Sequence, residues 1–206
     1  MTDNTTNLGG SRAPGPRETA LLDEGNITIT TGGFDGHGRE RTVYSGASPL
    51  SIGDPVALSN STDNTYVATG GKILVEQPQN SESLVIGKIH SSIKSLGKNP
   101  ATAAAADSLA ERLSGDHLRK ADVEIWIPGI IKKVTIKCDG SNAIVPGVGT
   151  TLILDISDSL AAHKPIYVAA ASGGTGIIPL HAVPAGSSGD LYNILAIFTD
   201  LQTSAT

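Results

Sequence analysis

Short apolar runs, each closed by a turn that few residue types can make, limit what this chain can build. The clearest is Ile52-Gly-Asp-Pro-Val-Ala-Leu-Ser59, where Gly53, Asp54 and Pro55 form a tight entry into an apolar run. Leu84-Val-Ile-Gly-Lys-Ile-His90 follows with Gly87 in mid-run, and a glycine inside a strand marks a bulge or a close backbone approach. A looser echo returns near the end: Val145-Pro-Gly-Val-Gly before Thr151-Leu-Ile-Leu, then Ile177–Val183 and Gly189-Asp-Leu-Tyr192. Asn26–Thr31 alternates apolar and polar residues, as does Val123-Glu-Ile-Trp-Ile127 until Pro128-Gly129 turns it. Ile130–Cys138 places Val134, Ile136 and Cys138 on one face. Further strands are expected at 41–45, 54–59, 65–69, 72–77, 84–90, 151–156, 165–170, 177–183 and 191–198. Roughly a dozen short strands with frequent turn signals predict an all-β fold built from small β-barrel or β-sandwich modules. The echo divides the chain into two similar β modules, about 40–98 and 120–200, joined by a helix.

That helix is expected near 100–114. Asn99 suits an N-cap and Pro100 a first helical residue, Ala103–Ala106 favour the helical backbone, and Gly115 ends it. Residues 1–20 lack periodicity and are punctuated by Gly9, Gly10, Pro14, Gly15 and Pro16, so they read as an extended N-terminal arm. The β-rich domain then spans 21–206.

Aromatic residues make up only 3% of the 206-residue chain, so Val, Ile, Leu and Ala must fill the core. The net charge of −5 is unevenly spread. Residues 1–87 hold 5 basic and 10 acidic side chains, residues 88–137 hold 9 and 5, and residues 138–206 hold 1 and 5. A nucleic-acid binder would carry a stronger basic face with stacking aromatics, so no direct nucleic-acid role is expected. The basic middle segment suits an acidic protein surface or a solvated strand face. Cys138 is the single cysteine and excludes an intrachain disulfide. No run approaches the ~18 apolar residues of a membrane span, and no signal-peptide pattern opens the chain. Asn4-Thr-Thr, Asn26-Ile-Thr and Asn60-Ser-Thr match the glycosylation pattern and read as chance in a Thr/Asn-rich chain.

Few residue patterns in the chain point to chemistry. Asp35, His37 and Glu40 share a glycine-rich loop that reads as surface loop before metal site, and the calcium-loop spacing is missing. The five histidines lack zinc-ligand spacing, and no cysteine pair accompanies them. Gly70-Gly71-Lys72 lacks the rest of a phosphate loop. The Ser-x-x-Lys pairs at Ser91–Lys94 and Ser95–Lys98 lack companion motifs, and Gly186-Ser-Ser-Gly189 has the wrong spacing for a nucleophile elbow. No cofactor, metal or catalytic residue is assigned, and the chain is read as a non-enzyme. Trp126 is weighed as core or interface anchor. Lys120, Lys132, Lys133 and Lys137 are read as a basic edge, which commonly blocks unwanted strand pairing.

At Ile52–Ser59, Leu84–His90 and Val123-Glu-Ile-Trp-Ile-Pro-Gly129 the chain resembles capsid decoration, or cement, proteins of tailed viruses. Tyr167–Ser172, Pro184–Asp190 and Leu191–Phe198 have the same character, so the resemblance covers about 45–198. It implies a virion protein made in the host cytoplasm and carried on the capsid exterior. Such a protein forms a homotrimer, bridges subunits of the major capsid protein and stabilises the shell. Gly53, Asp54, Pro55, Gly87, Gly129, Gly189 and Asp190 then serve as structural turns, and Arg12, Arg17, Trp126, Lys132 and Lys133 as candidate interface residues. A tail or baseplate module is the alternative, followed by a soluble ligand-binding β domain that would depend on Trp126 or Tyr66. No membrane partner is expected.

Overall fold

The computed structural model describes residues 16–24, 27–34, 40–46, 48–62, 64–67, 69–79, 84–94, 119–146, 150–169, 176–199 and 202–203. Arg12, the loop carrying Asp35 and His37, and the helix expected at 100–114 lie outside the described residues. The first strands are β1 Arg17–Asp23, β2 Ile27–Phe34, β3 Glu40–Gly46, β4 Pro55–Leu58, β5 Ile73–Glu76, β6 Leu84–Lys94 and β7 Arg119–Ile125. Then come β8 Ile131–Lys137, β9 Leu152–Asp155, helix α1 Ile156–Ala162, β10 Ile166–Ala169, β11 Ile177–Pro179, β12 Leu191–Phe198 and β13 Gln202–Thr203. The fold is all-β with a short helix, as expected. Among the described residues no helix is long and apolar enough to cross a membrane.

Five strands close into a barrel in the order β1-β5-β4-β6-β7, with β7 returning to β1. β1 runs parallel to β5, and the other neighbours are antiparallel. Period-2 alternation sends Ala20 and Leu22 of β1 and Ala121 and Val123 of β7 inward, where they meet Leu50, Val56, Val75, Ile86 and Ile89. Eight strands make a barrel whose interior side chains just fill, so five enclose a narrower space. Small aliphatic side chains suit that space, each buried Val or Leu contributing about 1.5–3 kcal/mol. A core with almost no aromatics is thus a consequence of barrel size. β13 adds to β6 outside the ring, and β2 and β3 form a separate hairpin.

Two features close the barrel. Gly87 of β6 lies opposite Ile125, and a Cβ built there would sit 2.0 Å from the Glu124 carbonyl oxygen. Any side chain at 87 would push β7 away. Nearby, Arg119 donates through Nε to Glu24 Oε2 at 2.7 Å, through Nη2 to Glu24 Oε1, and to the Leu50 carbonyl at 2.9 Å. The Leu50 N–H donates to the same carboxylate at 2.7 Å. This forked pairing pins the segment ahead of β4 against β7.

The second sheet has the order β11-β12-β8-β10-β9. Val134, Ile136 and Cys138 of β8 face inward as expected, against Leu152, Leu154, Tyr167, Ile177, Ile194, Ala196 and Phe198. Asp155 caps α1, its carboxylate accepting from the Asp158 N–H at 3.0 Å. His163 ends α1 in the left-handed conformation at φ 50°. The two sheets meet where β7 runs out of the barrel. The Trp126 N–H still donates to the Ile86 carbonyl at 2.8 Å, but its ring enters the second core beside Tyr167 and Phe198, with centroids 6.4 and 5.4 Å away. These three are among only seven aromatic residues in the chain.

Several local expectations are corrected. Residues 17–20, assigned to the arm, open β1: all four pair with β7, and Ala20 also pairs with β5. Tyr66 and Val67 lie in a tight turn and not in a strand, with the Gly71 N–H donating back to the Tyr66 carbonyl at 2.8 Å. The run at 151–156 yields to α1 at Ile156, because Asp155 supplies a cap and Ser157–Ala162 sustains a turn of helix. The strand expected at 177–183 stops at Pro179. β7 belongs to the barrel, so the second sheet begins at β8.

The register places Asp23 beside Glu76 on neighbouring strands, a like-charge pairing that disfavours ionisation. Burial first, and Asp23 second, raise the Glu76 carboxyl above its usual 4.5, against hydrogen bonds from Ser59 and Asn60. The folded state therefore holds this proton more tightly than the unfolded chain does. The resulting stability is full below pH 4.5 and is lost as pH rises through the raised value. Glu76→Gln is expected to raise the unfolding free energy measured in urea at pH 7, by less than about 1 kcal/mol after solvent screening, and to give no gain at pH 4. Parallel behaviour of the two proteins at both pH values would refute this.

Candidate functional site

The sequence motifs chosen as turns do what their residue types permit, but they do not converge on one place. Gly53-Asp54 and Gly189-Asp190 are two copies of one device. In Ser51-Ile52-Gly53-Asp54 the Asp54 N–H donates to the Ser51 carbonyl at 3.1 Å, and the Ser51 N–H donates to Asp54 Oδ2 at 2.7 Å. In Ser187-Ser188-Gly189-Asp190 the same bonds measure 3.0 and 2.9 Å. Both glycines have positive φ, 99° and 92°. Both turns dock on a strand through the same pair of backbone bonds, Gly53 and Asp54 to Ile89, Gly189 and Asp190 to Cys138. The surroundings differ. Asp54 is buried and meets His163 Nδ1 at 2.9 Å, joining the barrel to the end of α1. Asp190 lies at the exposed end of β8, where its charge and that of Asp139, after burial, push the Cys138 thiol up. Pro55 is the first residue of β4, where its missing N–H costs least, and Gly129 takes φ 83° in the β7–β8 turn.

The interface candidates behave differently. Trp126, Lys132 and Lys133 line one cleft of about 130 Å³ between the barrel and the second sheet, and the charge of Arg17 acts on Lys132 from nearby. Register builds it. Glu124 of β7 stands opposite Arg17 of β1 on one side and Lys88 of β6 on the other. It points out of the barrel, yet the second sheet covers it, leaving it 5% exposed. Its carboxylate pairs with Lys132, lies 4.0 Å from Lys88 and 3.8 Å from His90 Nδ1, and its Oε1 has no well-directed hydrogen bond.

The opening arises where a strand pair ends. β10 runs parallel to β8 but pairs only at Ile166–Thr135 and Tyr167–Ile136. Before Ile166 the chain is Lys164-Pro165, coming off α1. The β8 edge at Lys132–Val134 therefore faces Lys164 and Pro165 across the cleft, with Trp126, Tyr167 and Phe198 forming its floor. Trp126 is 5% exposed, so its role is core packing beneath the cleft and not that of a surface anchor. This position also removes it as a platform for stacking a sugar. At Lys132 and Lys133 β8 is paired with β12 on one side, while β10 pairs with it only from Thr135 on, so both lysines lie on a locally open edge.

Electrostatics follow from the crowding. Burial lowers the Lys88 ammonium below its usual value. Burial also lowers Lys132, helped by repulsion from Lys88 and Arg17. His90 is lowered too, chiefly by desolvation and then by Arg17 and Lys88, with Asp122 opposing. Lys88, His90 and Lys164 were not singled out from sequence. Lys88 and His90 share β6, whereas Lys164 follows α1, and they come to Glu124 and the cleft only through strand register and the bend after α1. Among the described residues no three His, Cys, Asp or Glu side chains assemble as a metal-binding group. In comparison with known proteins, no family model, curated protein or solved structure matches the chain.

Proposed function

We propose that this chain is a virion structural protein that binds the outside of an assembled capsid as a homotrimer and stabilises it by bridging subunits of the major capsid protein. One observation carries the reading. The segments with the cement-protein character, Ile52–Ser59, Leu84–His90 and Val123–Gly129, supply β4, β6 and β7, which are neighbours in one barrel. The resemblance therefore describes a contiguous body, and the cationic cleft opens beside it. A lattice of docked copies needs no strong single contact, since effective concentration multiplies weak ones. An N-terminal segment that orders on docking would add area at an entropic cost.

Purified tailed-virus capsids lacking the protein provide the test. Added protein should co-sediment and saturate at a fixed ratio to the major capsid protein, with density on the outer surface by electron microscopy. Density in the tail or baseplate would move the protein to that class, and no particle association would end the proposal. Deleting residues 1–15 should keep the fold and weaken shell occupancy. Deletion through residue 20 should also disrupt the barrel, because it removes half of β1.

A further inference from the structure

The cleft carries more positive charge than its carboxylates neutralise. Lys88, Lys132, Lys133 and Lys164 line it, whereas among the described residues Glu124 is the one carboxylate within ion-pair distance of Lys88 and Lys132. Among the described residues no carboxylate lies within that distance of Lys133 or Lys164, and both are exposed at the rim. Lys88 and Lys132 are partly desolvated and repel each other, so a second carboxylate entering the cleft would relieve both.

We propose that this cleft is a binding site for a carboxylate side chain, and that it seats a glutamate-bearing segment of the protein on which this chain docks. Size is the first argument. At about 30 Å³ per water the cavity holds on the order of four waters, which suits one carboxylate side chain. Cofactor-sized sites begin at about 300 Å³. Chemistry is the second. The cations over the cavity are ammonium groups above an aromatic floor of Trp126, Tyr167 and Phe198. That arrangement receives the methylene stem of glutamate below and its charged head at the rim. Phosphate recognition favours arginine forks or a nest of backbone N–H groups. The third argument is the edge of β8 at Lys132–Val134, which β10 leaves unpaired and along which an extended segment could lie. The identity of the supplying protein as the major capsid protein rests on the capsid-docking reading; the carboxylate site does not.

Trp126, the sole tryptophan, reports on the cleft directly. The full-length chain would be titrated with a hexaglutamate peptide, with hexaglutamine and with inorganic phosphate, following its emission. Hexaglutamate should give a saturable change that weakens with added salt, and the other two should give none in the same concentration range. The Lys133→Glu/Lys164→Glu variant, checked for an unchanged thermal midpoint, should bind hexaglutamate at least about tenfold more weakly. Lys72→Glu, outside the cleft, should bind as the wild type does. Equal binding by the double variant, equal binding of hexaglutamine, or tighter binding of phosphate would overturn the site. The same variants are then added to capsids. Peptide binding without capsid binding by the wild type would end the docking reading and leave the site intact. Capsid binding without peptide binding would do the reverse.

Discussion

Alanine at Gly53 is expected to destabilise the protein far more than alanine at Gly189, although both glycines hold the same Ser-x-Gly-Asp turn. Each has a positive φ, and a Cβ in that region costs roughly 1–2 kcal/mol. At Gly189 nothing lies within 4 Å of the added carbon, so that cost is the whole effect. At Gly53 the added carbon would sit 1.9 Å from the His163 carbonyl oxygen, a backbone atom that cannot swing aside. The turn must then leave α1, and the Asp54–His163 hydrogen bond goes with it. A loss of about 4 kcal/mol or more is expected, in the range reserved for a named structural failure. Urea unfolding of the two variants measures the difference. Similar midpoints would mean that the barrel and α1 do not depend on this contact.

Arg119→Met should be comparably severe, for an electrostatic reason. Glu24 is buried, and Arg119 supplies its counter-charge while also holding the Leu50 carbonyl. Removing one partner of a buried pair leaves an uncompensated charge and typically costs about 3–5 kcal/mol. Adding Glu24→Gln should recover part of that loss, because the stranded charge is gone. A double-mutant cycle in denaturant gives the coupling. Additivity of the two substitutions would show that the pair contributes packing and no charge compensation.

The strands were legible wherever period-2 alternation met a turn residue. β4, β6, β8 and β12 fall within a few residues of the runs that predicted them. The Gly53–Gly189 echo was also legible, because a carboxylate three residues after a serine and just after a glycine can close the turn locally. β1 was hidden, since Arg17–Asp23 does not alternate cleanly and follows Pro14, Gly15 and Pro16. Helix α1 was hidden by its shortness and by the apolar run feeding it. Tyr66 and Val67 have strand-forming side chains, but Gly70 and Gly71, both at positive φ, fold the chain back there. Part of the cleft was foreseen, as Trp126, Lys132 and Lys133. The rest needed the pairing of β7 with both β1 and β6, which no local pattern carries.

The ring order of the barrel also imposes a timetable. β1 is held by β5 on one side and β7 on the other, so Arg17 waits for Glu124, about a hundred residues later, before the ring can close. The strands of the second sheet, by contrast, all fall between Ile131 and Phe198 and can assemble among themselves. A growing chain therefore carries β1 and β6 with open edges until β7 emerges, and open edges pair with whatever strand arrives first. Arg17 and Lys88 lie on those edges, where charged side chains discourage pairing between copies before Glu124 joins them.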